Sequence, residues 1–121
     1  MLNYLIIICH FLSDWVLQPR SIAKNKSVSI EAMLKHIAII YVTFSILGFF
    51  YGVHHGLIVF NAAMHAVCDL NIWTAFREIR GPFTEEYIEK NLYADDYWFY
   101  FCIAVDQTIH LCILFWVFSL P

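Results

Sequence analysis

The 121-residue chain is 61% apolar and 18% aromatic, only 14% of it is charged, and its mean hydropathy is +0.66. Soluble domains run at about 45–50% apolar and about 25% charged residues, so this composition excludes a soluble enzyme domain and a multidomain protein and points to a membrane. A formal charge of -3 gives no global basic footprint, and no nucleic-acid partner is expected.

Four apolar stretches, at about 2–17, 33–53, 57–76 and 97–120, are each read as a spanning helix, since a span takes about 20 residues. The first is short for a hydrocarbon layer of about 30 Å and is expected to recruit its flanks or to thin the bilayer locally. A cleaved signal peptide is the competing reading. No Lys or Arg precedes the run, however, and it holds His10 and Asp14, which a signal core does not normally carry. The polar, basic segment 18–29 is expected to lie against anionic headgroups. The turn at 52–56 carries His54 and His55 without Lys or Arg, and neither is assigned a site role. In 81–96, Pro82, the N-cap candidate Thr84, Glu85 and Glu86, and apolar Phe83, Tyr87, Ile88 and Leu92 at helical spacing predict a short amphipathic helix on the cytoplasmic surface. A solvated connector is an equally good reading of that segment.

All seven basic residues, Arg20, Lys24, Lys26, Lys35, Arg77, Arg80 and Lys90, fall between the first and second spans or between the third and fourth. By the positive-inside rule those segments are cytoplasmic and both termini are periplasmic. The expected architecture is a single all-α domain over 1–121, a polytopic membrane protein built as a four-transmembrane-helix bundle.

An Asp at the middle of a span costs roughly 2.5–3.5 kcal/mol, so each intramembrane carboxylate asks for a reason. Three of the ten acidic residues lie inside spans, and each has a His four positions away: His10 with Asp14, His65 with Asp69, and Asp106 with His110. Residues at i and i+4 share one helix face. The first and third spans run inward and read His then Asp, while the outward-running fourth reads Asp then His. All three Asp therefore lie on the cytoplasmic side of their His partners. His36, near the start of the second span, falls at about the depth of the Asp layer. Converging faces would set Asp14, Asp69, Asp106 and His36 above a deeper layer of His10, His65 and His110. Gln18, Asn61 and Cys102 extend these stripes at a spacing of four, and Gln107 adjoins Asp106. All four are candidates to orient the inner groups by hydrogen bonds, although Asn and Gln also serve as ordinary interhelical glue.

Neutral imidazole and carboxylate suit zinc and other divalent transition metals, and seven ligands are enough for one ion or two. The Glu-x-x-His signature of di-iron bundles is absent, because no Glu lies inside a span. The expected cofactor is thus zinc, with manganese next. The expected activity is metal-dependent hydrolysis of a membrane-proximal substrate, with metal-bound water as nucleophile and Asp69, Asp106 or Asp14 as base. The alternatives are a proton or ion pathway through the same residues, and a non-catalytic interaction protein with the His–Asp pairs as interhelical glue. Membrane lipid is the expected partner, with a homo-oligomer or a host membrane protein as further candidates. Cys9, Cys68, Cys102 and Cys112 all lie in spans without a Cys-x-x-Cys and read as small hydrophobes.

The motifs around His10, Asp14 and Gln18 with Lys24 and Lys26 after them, then His36, His65 to Asp69, and Asp106-Gln107 to His110, resemble the small bacterial and phage membrane proteins called domain of unknown function 3307. That resemblance covers most of the chain and implies a bacterial or phage inner-membrane protein. A looser likeness, of ligand type only, is to membrane-embedded metal-dependent hydrolases that place His and Asp on several helices.

Overall fold

The computed structural model describes residues 2–81, 86, 90 and 95–120. Its described residues form helices with no strand. Helix α1 (Leu2–Phe11) continues into a π-helical turn (Leu12–Val16), followed by α2 (Arg20–Asn25), α3 (Ile30–Tyr51), α4 (His55–Arg80) and α5 (Tyr97–Val117). At 1.5 Å per residue the last three are about 33, 39 and 32 Å long, and all three are long and apolar enough to cross a membrane. The first helix with its π turn reaches only about 22 Å, as the short first apolar stretch implied. Helix α3 begins three residues before its expected start and α4 continues past 76 to Arg80. A short helix in the polar 18–29 segment was not anticipated. The amphipathic helix expected in 81–96 falls largely outside the described residues.

The helix ends follow from local chemistry. Ser29 caps α3 by accepting a hydrogen bond from the Ala32 amide (3.3 Å). Gly52, at φ 68°, ends α3 in the left-handed conformation that a side chain disfavours. His54 Nδ1 accepts from the Gly56 amide at the start of α4 (3.1 Å), and His55 Nε2 lies 3.0 Å from the Tyr41 hydroxyl. Both histidines thus have local structural work at the turn. Asp96 caps α5 through the Trp98 amide (2.9 Å) and receives Arg80 Nε (3.1 Å), tying the end of α4 to the start of α5.

Inside and outside are inverted relative to a soluble bundle. Large apolar side chains are turned outward along every long helix, among them Ile8, Phe11, Trp15, Ile46, Phe49, Val67, Phe101 and Trp116. Lipid would cover such a surface without penalty, whereas water would not. The apolar core, Ile6, Ile40, Phe44, Leu47, Ile58, Ala62 and Leu114, joins α1, α3, α4 and α5. Gly48 lets α3 and α4 approach closely there, since a Cβ at that position would lie 2.6 Å from Ile58 Cδ1. Toward the basic end, the apolar filling gives way to a cluster of His and Asp side chains.

Candidate metal centre

The centre starts from a local irregularity. Residues 12–16 widen from α to π geometry, with the Leu17 amide bonding back five residues to the Leu12 carbonyl (2.8 Å). The Ser13 hydroxyl, fully buried, donates to the His10 carbonyl (3.0 Å). A π turn changes the angular step between residues, and such turns occur often at functional sites. Here it carries Asp14 into the bundle beside His10, although the i, i+4 spacing is no longer that of a regular helix.

All seven inward candidates are buried: His10, Asp14, His36, His65, Asp69, Asp106 and His110 are each at most 8% exposed. Three sets have ligand atoms within 4.8 Å of one another: Asp14, His36, His65 and Asp69; His10, Asp14 and His110; and Asp69, Asp106 and His110. The tightest contacts run between helices. His36 Nε2 lies 3.0 Å from Asp69 Oδ2 and 3.5 Å from Asp14 Oδ1, and His65 Nε2 lies 3.7 Å from Asp14 Oδ1. The same-helix pairs stressed by the sequence pattern are looser, at 3.9 Å for His65–Asp69 and 3.7 Å for His110–Asp106. The deeper imidazoles do gather: His65 and His110 stack at 3.7 Å between ring centroids, and His10 lies 5.3 and 5.6 Å from them.

The four-residue set fits a small cation. A tetrahedral ion with bonds of about 2.0–2.2 Å holds its ligand atoms about 3.3–3.6 Å apart. The four His–Asp edges of the set are 3.0, 3.5, 3.7 and 3.9 Å, one within that range, one shorter and two slightly longer. His36 Nε2, His65 Nε2 and Asp69 Oδ2 are all buried without a hydrogen-bond partner. Asp106 Oδ1 and His110 Nδ1, in the neighbouring set, are in the same condition. Buried polar atoms without hydrogen bonds are costly, and a cation among these ligand atoms would offset that cost.

Of the four residues expected to orient the cluster, Gln107 does so. Its Nε2 donates to Asp14 Oδ2 (2.9 Å) and Asp106 Oδ2 (3.2 Å), while its Oε1 lies 3.1 Å from His10 Nε2 and accepts from Trp15 Nε1 (3.3 Å). One amide thereby joins α5 to the first helix. Gln18 Nε2 and Asn61 Nδ2 are buried without a hydrogen bond. Cys102 is a buried free thiol, so none of these three is hydrogen-bonded to the cluster among the described residues. We expect Gln107→Leu to lower the unfolding free energy by about 2–3 kcal/mol, since it strands buried atoms of His10 and Asp14. Thermal unfolding in detergent micelles measures the loss; an unchanged transition would mean the amide bridge is dispensable.

Sequence reasoning missed Lys26, which it placed at the lipid headgroups. The structure buries it to 6% exposure and sets its Nζ 2.8 Å from Asp69 Oδ1 and 3.4 Å from Asp14 Oδ1. Burial pushes its pKa down, but Asp14 and Asp69 beside the ammonium outweigh that and hold it above the ordinary lysine value. The loop is fixed in place: the Lys26 amide bonds to the Ile22 carbonyl (2.8 Å), and Arg77 grips Ser27 through its hydroxyl and its carbonyl (2.9 Å). A signal for Lys26 existed in the charge count, because three intramembrane carboxylates require a nearby cation.

No curated protein and no solved structure matches the chain. A family model described as "Protein of unknown function (DUF3307)" matches residues 2–120. Since the match runs over nearly the whole length, the chain belongs to the DUF3307 family.

Proposed function

We propose that this protein is a four-span protein of the bacterial or phage inner membrane that holds a divalent metal, zinc or manganese, between Asp14, His36, His65 and Asp69, and uses it to hydrolyse a membrane-proximal substrate. One observation carries the reading: four buried ligand atoms from three helical segments, three of them without a hydrogen bond, lie within 4.8 Å of one another, with His–Asp separations of 3.0–3.9 Å. Four protein ligands fill a tetrahedral shell, so a bound ion would lower the pKa of water or polarise an ester or phosphoester oxygen at a fifth position, to which it would have to expand. Asp106, within 4.8 Å of Asp69, is suited to take a proton from an attacking water, and His110 beside it to pass that proton on. Gln107, its carbonyl oxygen beside His10 Nε2, holds Asp14 and Asp106 in orientation.

The topology has support of its own. Arg77 reaches Ser27, so the 20–29 loop and the basic end of α4 share one end of the bundle, as a common cytoplasmic side for both basic segments requires. With four spans, both termini would then be periplasmic. A second reading, a proton pathway, is favoured by the contiguous imidazoles of His10, His65 and His110.

The test is metal analysis by mass spectrometry of protein purified in mild detergent without chelators, then supplied with Zn²⁺ or Mn²⁺. One tightly held ion per chain, lost in His65→Ala, is expected. A chain that stays metal-free under saturating Zn²⁺ and Mn²⁺ would sink the proposal. Proteoliposomes separate the second reading, since a hydrolase leaves an imposed pH gradient intact and a proton pathway dissipates it.

A further inference from the structure

The seven inward residues could hold two metals if each of the three ligand sets were free to bind, but the sets share members. Asp69 belongs to two of them and Asp14 to two. Both oxygens of Asp69 are engaged when the four-residue set is filled: Oδ2 faces His36, and Oδ1 is 2.8 Å from Lys26 Nζ. Asp14 is equally committed, with Oδ1 shared by His36, His65 and Lys26 and Oδ2 receiving Gln107. A second ion would have to take a carboxylate oxygen from the ammonium or from the first ion.

Charge leads to the same result. Asp14, Asp69 and Asp106 are buried together with Lys26. Of the other cations near this end, Lys35 pairs with Glu31, Arg80 with Asp96 and Arg77 with Ser27, while Arg20 and Lys24 are exposed. With neutral imidazoles and all three Asp ionised, three carboxylates and one ammonium leave two negative charges uncompensated. One divalent cation cancels them, and a second would leave the low-dielectric interior strongly positive. The ammonium is also immobilised, because its loop is held by the Arg77–Ser27 clamp and by the Ser29 cap of α3.

We infer that Lys26 is a built-in replacement for a second metal ion: it fixes the stoichiometry of the centre at one divalent cation and holds Asp69 so that Oδ2 faces that cation. The inference rests on the metal-centre reading above and goes beyond it by assigning the ion number and a positioning residue. Asp106 and His110 are thereby left free of metal. The device also stabilises the empty protein, since the carboxylates keep a counter-charge when no ion is bound.

Equilibrium dialysis with Zn²⁺, and separately with Mn²⁺, tests this on the full-length protein in detergent, comparing wild type, Lys26→Arg and Lys26→Met. Wild type and Lys26→Arg are expected to take one ion per chain. Lys26→Met is expected to bind that ion at least about tenfold more tightly, through loss of a like charge a few ångströms away, and to take up a second ion at higher concentration. Its ion-free form should melt below wild type and gain more stability than wild type does at the same Zn²⁺ concentration, a difference that a merely structural lysine would not show. Two ions per wild-type chain would overturn the inference while leaving the metal centre standing, whether or not Lys26→Met folds. One ion of unchanged affinity in Lys26→Met would overturn it in the same way. No ion in wild type under either metal would overturn the metal reading itself, and this inference with it.

Discussion

Replacing Asp69 by asparagine is expected to empty the metal centre and to lower the unfolding free energy by about 3–5 kcal/mol, the usual cost of removing one partner from a buried charge pair. The substitution preserves volume, so the loss is electrostatic. Asp69 is fully buried and serves two cations at once, with Oδ1 on Lys26 and Oδ2 toward the proposed ion beside His36. An asparagine amide cannot provide both, and its NH₂ would point a donor either at an ammonium or at a metal. Lys26 would then depend on the longer 3.4 Å contact with Asp14. Thermal unfolding in detergent and metal content, measured on the same preparation, separate the two consequences. Retained metal with a large drop in stability would confine Asp69 to the Lys26 ion pair. Lost metal with no drop would show that the ion pair contributes nothing net. The expected result is both losses, with added Zn²⁺ failing to restore the variant.

The general plan was open to a sequence reader because the bilayer makes polar residues conspicuous. Against a 61% apolar background, an Asp with a His four residues away stands out, and reversal of the pair order on the outward-running span gives the layer. The seven inward residues lie buried together in the structure. The i, i+4 spacing describes one helix, however, while the closest contacts, such as His36 with Asp69, depend on how helices pack. Gln18 shows a second limit. Its spacing from Asp14 presumes a regular helix, and the π turn at 12–16 ends that regularity before Gln18 is reached. Lys26 shows a third, since a lysine in a polar loop reads as solvated unless the fold of that loop is known. Its inward course depends on α2 and on the Arg77–Ser27 clamp, which joins residues 50 apart in the chain. Such nonlocal contacts leave no periodic trace.

The sharpest separation of binding from chemistry should come from Asp106→Asn. If Asp106 receives the proton of the attacking water, this variant keeps its ion but loses about 10²–10⁴ in hydrolytic rate, the range that a positioned general base contributes. The geometry supports that division. Asp106 is absent from the four-residue set that fits the ion, yet lies within 4.8 Å of Asp69, which belongs to it. Its Oδ1 is buried without a hydrogen bond while Oδ2 receives the Gln107 amide (3.2 Å), so one oxygen is held in position and the other has no partner. Asparagine would keep the first arrangement and lose the basicity of the second. Release of headgroup or fatty acid from mixed phospholipid vesicles, read beside metal content, decides the matter. Loss of the ion in Asp106→Asn would make Asp106 a ligand, and unchanged hydrolysis would pass the base role to another residue. Under the proton-pathway reading the same variant would instead slow dissipation of a pH gradient and leave the lipids intact in both proteins. The single carboxylate outside the ligand set thus distinguishes the two chemistries that one His/Asp cluster is able to support.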